Sequence, residues 1–176
     1  MKLEDHPFIQ SISLERRNSI LDEIKIEIAY VSFDTLFEHF RELNSPFFKD
    51  DRVQFELSGN GASTQGDASK LMRVLQNLIG NAIDALHNAK IEGLIEVVAK
   101  ETDGSVILTV SDNGPGIPQS IRETFFEPFV TQGKNEGTGL GSAIVKTIIE
   151  AHRGSITFET SAQGTTFTIR LPKQQA

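Results

Sequence analysis

Three short segments carry the groups that could do chemistry, in this order: Asn77-Leu-Ile-Gly-Asn81-Ala-Ile-Asp84, Asp112-Asn-Gly114-Pro-Gly116-Ile117 and Gly137-Thr138-Gly139-Leu140-Gly141. In the first, Asn77, Asn81, Asp84 and Asn88 recur at i, i+4, i+7 and i+11, which is one stripe of a helix. Asparagine is a mediocre helix former, so a pair in mid-helix asks for a reason. An amide oxygen is a neutral, hard ligand suited to Mg²⁺, which keeps several waters and completes its shell with substrate phosphates. Asn81 is the residue assigned to that ion, and Asn77, one turn earlier, orients water or phosphate around it. The same stripe also fits the wet side of an amphipathic helix.

The second segment places a carboxylate in a tight turn. Asp112, held at a strand end, can accept a hydrogen bond from the exocyclic amine of adenine. Guanine has an oxygen there, and two acceptors facing each other in a dry pocket are both left unpaired, so the group selects adenine. Gly114 and Gly116 lack a Cβ and let a base approach the backbone, with Ile117 next to them. Asn-Gly and Pro-Gly are also ordinary turn dipeptides. In the third segment Gly137, Thr138, Gly139, Leu140 and Gly141 run directly into an apolar helix. Free N–H groups at a helix start, reinforced by the macrodipole, form an anion site, and glycine removes the side chains that would block it. This is not a G-x-x-x-x-G-K-[ST] loop, since no Lys-Ser or Lys-Thr pair follows. Lys134, just upstream, can reach a phosphate as a point charge. Metal, base and phosphate groups together describe a nucleotide pocket.

The elements that must position these groups follow from apolar periodicity. A long helix runs from Asp67 to about Ala89 with Leu71, Val74, Leu75, Leu78, Ala82, Ala85 and Leu86 on one face. Residues 95 to 100 and 106 to 110 read as an antiparallel hairpin around Asp103-Gly104, its second strand delivering Asp112. A helix from about Gly139 to Ala151 and strands over 155 to 160 and 165 to 171 close the chain. Upstream, Asp34 is the expected N-cap of a helix through Leu36, Phe37, Phe40 and Leu43 that ends near Asn44-Ser45-Pro46, followed by a strand over 53 to 57 and a polar loop over 58 to 66. Leu14, Leu21 and Ile28 have a seven-residue spacing that favours a helical stub, whereas Ile24, Ile26 and Ile28 alternate as in a strand; both readings stand for residues 24 to 30. The connection over 114 to 139 is long, rich in glycine and proline, and holds an aromatic patch over 125 to 129 that fits either core packing or a mobile lid.

Composition sets the outer limits. A chain of 176 residues with 38% apolar content suits one α/β domain and a short appendage. A net charge of −7 without a Lys/Arg-rich run argues against nucleic acid or an anionic membrane as partner. The absence of cysteine excludes disulfides and thiolate metal sites and suits a reducing cytoplasm. The apolar runs are too short to span a bilayer, so the expectation is a soluble chain, whatever anchors a longer parent.

In this order the segments resemble the ATP-binding domain of sensor histidine kinases, within the wider group of gyrase, Hsp90 and MutL-type ATPases. The resemblance covers about residues 31 to 172. Asn77 to Asn81 looks like the N box, Asp112 to Gly116 the G1 box, Phe125-Phe-Glu-Pro-Phe129 the F box and Gly137 to Gly141 the G2 box. It implies Asn81 on Mg²⁺, Asp112 on adenine, Thr165 beside the base and a lid near residues 118 to 137. The fold implied is a two-layer α/β sandwich, a mixed sheet of about five strands with three helices on one face.

Gyrase-type hydrolases carry a glutamate where Asn77 stands, and an amide cannot take a proton from water. That disfavours hydrolysis and suits an enzyme that holds ATP for an outside nucleophile. No histidine here sits in the family's phosphoacceptor context: His6 precedes proline, His39 and His87 fall within helices, and His152 reads as an end charge or cap near a helix C-terminus. The acceptor hairpin is expected on another segment or chain; residues 1 to 30 read as a helical stub or a remnant of a dimerisation and phosphoacceptor hairpin, with 11 to 30 as its second helix, and 173 to 176 as a tail. Ser142 and Arg153 depart from the usual larger apolar residue and glycine. The implied partners are ATP, that hairpin, a response-regulator receiver domain and, for a full-length parent, a second copy. A nucleotide-controlled regulatory module and an anti-sigma-type serine kinase are the alternatives.

Overall fold

The computed structural model describes residues 25–130 and 139–174. Along them run strand β1 (Ala29–Ser32), helix α1 (Phe33–Leu43), strands β2 (Val53–Ser58) and β3 (Ser63–Gly66), helix α2 (Ala68–Ala89), strands β4 (Gly93–Thr102) and β5 (Ser105–Asp112), helix α3 (Gly141–Ala151), and strands β6 (Ser155–Ser161) and β7 (Gly164–Pro172). The main sheet has the order β2-β4-β5-β7-β6, and β1 pairs with β3 in a separate ribbon. Only β2 and β4 run parallel in the main sheet; the other neighbours are antiparallel. This is the mixed five-stranded sheet and two-layer sandwich expected from the resemblance.

One face of the sheet is apolar and one is wet, as period-2 alternation demands. Ile95, Val97 and Ala99 of β4, Val106, Leu108 and Val110 of β5, and Ile169 and Leu171 of β7 are buried beneath the helices. Helix α2 meets them with Leu71, Leu75, Leu78, Ile79 and Leu86, a stripe that leaves Asn81, Asp84 and Asn88 outward. Asp67, where the sequence starts the helix, is its N-cap and accepts N–H bonds from Ser69 and Lys70.

Several expectations change: Leu43, placed on the apolar face of α1, is exposed, and Ala85 of α2 is only half-buried. The α1 N-cap is Ser32, not Asp34: the Ser32 hydroxyl accepts the Thr35 N–H and the helix starts at Phe33, two residues earlier, with the Phe33 N–H bonded to Ala62 O at 3.0 Å. Asp34 instead accepts the Gly61 N–H at 2.9 Å and holds the turn before β3. Residues 63–66, read as loop because they are polar, form a strand on β1, and buried Thr64 bonds Pro172 O at 2.7 Å. Ala29 and Tyr30 are strand, while 25–28 are neither helix nor strand and residue 24 lies outside the described residues. His152 does cap α3, but as a fully buried, neutral bridge: Nε2 accepts the Asp67 N–H at 2.9 Å, so Nδ1 carries the proton to Ile148 O at 2.8 Å. An end charge has no place there. Lys173, expected in a tail, donates to Gly104 O and to Glu101 Oε2.

Candidate functional site

Between the outward stripe of α2, the end of β5, the start of α3 and strand β7 lies an open cavity of about 600 Å³. Its walls include Asn77, Asn81, Asp84 and Asn88 from α2, Asp112, Gly116 and Ile117 from the turn after β5, Gly139, Gly141 and Ser142 at the start of α3, and Thr165 from β7. Segments far apart in sequence thus converge on one space. Gly114 is buried behind Asp112 and Leu140 precedes α3. Lys134, Gly137 and Thr138 lie outside the described residues.

Helix geometry explains the first wall. Asn77 donates Nδ2 to Arg73 O at 2.8 Å, so the amide is fixed with its oxygen toward α3, and a Cβ on Gly141 would stand 2.6 Å from Asn77 Oδ1. Glycine at 141 is therefore a packing requirement as well as a way of baring peptide N–H groups. Gly139 has φ +67 and accepts the Phe129 N–H at 2.9 Å, which ties the end of the aromatic patch to the glycine run. Helix α3 begins with no side-chain cap bond. Its first residues, Gly141 and Ser142, line the cavity, and a helix start is an arrangement that favours an anion.

The second wall centres on Asp112. Its Oδ1 accepts the Gly114 N–H at 2.8 Å, closing the turn. Burial pushes its carboxyl above the usual carboxylate range, against the opposing pull of the Gly114 and Thr165 backbone N–H groups. Gly116 sits at φ +80, where a Cβ would meet Ser161 O at 2.0 Å, so the turn is pressed flat onto the β6-β7 hairpin. Asn113 reaches back to β4, donating to Glu92 O at 3.3 Å and accepting the Leu94 N–H at 2.7 Å.

Aromatic packing forms the floor. Phe125 lies 5.3 Å from Phe158 and 5.6 Å from Phe167, and Phe126 lies 5.8 Å from Phe158. Phe125 and Phe126 therefore pack against the core, whereas Phe129 is 55% exposed. Sequence reading passed over Phe167, although it lies two residues beyond Thr165 on the same strand face, a period-2 signal. It also passed over Thr160, which nothing local marks.

A family model described as histidine kinase-, DNA gyrase B-, and HSP90-like ATPase matches residues 66–175, and the chain belongs to that family. Within it the chain is of the sensor histidine kinase type. It is 41% identical over 123 residues to the C4-dicarboxylate transport sensor protein DctB of Rhizobium meliloti, covering 70% of this chain and 20% of that protein. It is 33% identical over 181 residues to the sensor histidine kinase ZraS of Escherichia coli, covering 96% of this chain and 38% of that protein. The solved catalytic domain of histidine kinase ThkA superposes with a TM-score of 0.73 at 28% identity, over 84% of this chain and 97% of that one. ThkA is also solved in complex with the response regulator protein TrrA. The chain thus spans about a fifth to two fifths of these curated relatives. Among the described residues no helix is long and apolar enough to cross a membrane.

Proposed function

We propose that this chain binds Mg·ATP in the cavity between α2 and β7 and passes the γ-phosphoryl group to a histidine on another segment or chain. The observation that supports it is the meeting of amide oxygens, a carboxylate and a bare helix start around one space. Asp112 takes the adenine amine, with Gly116 and Ile117 against the ring, Gly114 holding the Asp112 carboxylate from behind and Thr165 beside the base. The start of α3, with Gly139, Leu140 and Gly141, cradles phosphate, joined by Gly137, Thr138 and Lys134.

The donor set fits magnesium. Among the described residues no cluster of three or more His, Cys, Asp or Glu could hold a metal, so an ion here relies on neutral amide oxygen, water and phosphate. Asn81, exposed on the cavity wall, is the ligand, and Asn77 orients groups around it. When bound, the ion neutralises charge on the phosphates. Asn77 cannot act as a base, and its Nδ2 is already committed to Arg73 O, which supports transfer to an external acceptor rather than to water.

Residues 1 to 28 are assigned to a helical stub or hairpin remnant, residues 29 to 173, with β1 paired to β3 and Lys173 bonded to Gly104 and Glu101, to the catalytic unit, and residues 174 to 176 to a tail. The receiver domain of a response regulator takes the phosphoryl group onward, in the cytoplasm, from a dimeric and membrane-anchored parent. The test is to mix the purified chain with labelled ATP and a separately made histidine-bearing hairpin. Acid-labile label on the hairpin is expected; acid-stable label, or label on neither component, overturns the assignment.

A further inference from the structure

We infer that Thr160 of β6, which does not line the cavity, is a positioning residue that determines base specificity by fixing the hydrogen-bond polarity of Thr165. The inference rests on the placement of adenine against Asp112 proposed above.

Thr160 Oγ1 has three polar neighbours. It accepts the Ile117 N–H at 2.8 Å, lies 3.0 Å from Thr165 Oγ1 and lies 3.4 Å from Gly164 O. A hydroxyl has a single proton to give. O–H···O bonds fall between about 2.5 and 3.0 Å, so Thr165 is the better acceptor and Gly164 a marginal one. Thr165 Oγ1 then receives a proton from behind, and its own O–H is left for the cavity that it lines. Thr165 is 5% exposed, so water competes poorly for that bond.

The cross-strand register sets the consequence. Thr165 pairs with Thr160 on β6 and with Asp112 on β5, so the three stand in one row across the sheet. The cavity wall therefore offers an acceptor, the Asp112 carboxylate, beside a donor, the Thr165 hydroxyl. Adenine presents the complement, an amine donor flanked by ring-nitrogen acceptors. Guanine presents an oxygen in place of the amine and an N–H at the adjacent N1, which opposes both groups. Without the Thr160 hydroxyl, Thr165 turns its proton elsewhere and half of this discrimination goes. The same hydroxyl holds the Ile117 N–H, so its loss also frees the turn that carries Gly116.

Displacement of a fluorescent ATP analogue by ATP and by GTP tests this in the intact chain. Thr160→Val removes the hydroxyl at constant shape, and the preference for ATP over GTP should narrow about tenfold, the value of one buried hydrogen bond. Thr160→Ser should restore it. If valine is not tolerated, as thermal unfolding will show, Thr160→Ala is read in the same way. Equal losses for both nucleotides, or no loss, would overturn the inference and leave Thr160 a structural residue. Asp112→Asn separates the two levels. If it collapses the preference while Thr160→Val does not, only the role of Thr160 falls; if neither changes it, the placement of the base falls too.

Discussion

Replacing Asp112 by asparagine should move ligand affinity and fold stability in different directions. The substitution keeps shape, and the amide Oδ1 can still accept the Gly114 N–H that Asp112 takes at 2.8 Å. What changes is the second atom, which becomes an N–H donor where the adenine amine is also a donor. A hydrogen bond to a charged group contributes about 1.5–3 kcal/mol, so affinity for a non-hydrolysable ATP analogue should fall roughly tenfold to a hundredfold. Stability follows the opposite logic. Burial raises the carboxyl pKa of Asp112 in the folded chain above its unfolded value. A group shifted this way contributes stability when protonated and loses it as pH rises through the folded pKa. At neutral pH the wild-type chain therefore carries a half-buried charge that asparagine lacks. Asp112→Asn should melt at or above the wild-type temperature at pH 7, and that advantage should shrink on acidification through the carboxylate range. Calorimetric titration and thermal scans at two pH values measure both. Unchanged affinity, or lost binding accompanied by a large drop in melting temperature, would refute the reasoning.

Three further outcomes are expected. Asn81→Ala lies on an exposed helix position, so stability should change by less than about 0.5 kcal/mol, while the gain in ATP-analogue affinity on adding Mg²⁺ over EDTA should disappear. His152→Ala should destabilise by about 3 kcal/mol or more in urea titration, because it opens a cavity and strands the buried Asp67 N–H. Arg153 holds φ +54 in the left-handed region, so Arg153→Gly should stabilise the chain by about 0.5–1 kcal/mol, read as a raised melting temperature.

Much of the site could be read locally because its chemistry is local. The asparagine stripe needs only the helical repeat, which puts Asn77 and Asn81 on one side of α2 and Leu78 and Leu86 on the other. Asp67 announces its helix because capping is a contact between near neighbours, two and three residues apart. The turn at Asp112 and the glycines before α3 follow from backbone freedom in short segments. Asp34 misled for the same reason: its sequence context is that of a cap, yet its carboxylate is taken by the Gly61 N–H, 27 residues away.

Local patterns therefore specify the elements and the kind of group each presents, since helical and strand periods, caps and glycine turns depend on neighbouring residues. Which groups meet depends instead on long-range packing. Polar residues 63–66 become a strand only because β1 is there to pair with them. His152 is held neutral by Asp67, 85 residues distant, and Thr160 acquires its place through Ile117, 43 residues distant. Hydrogen bonds of that span leave no periodic trace in composition or spacing. They form when the sheet aligns its strands and burial removes water as the competing partner.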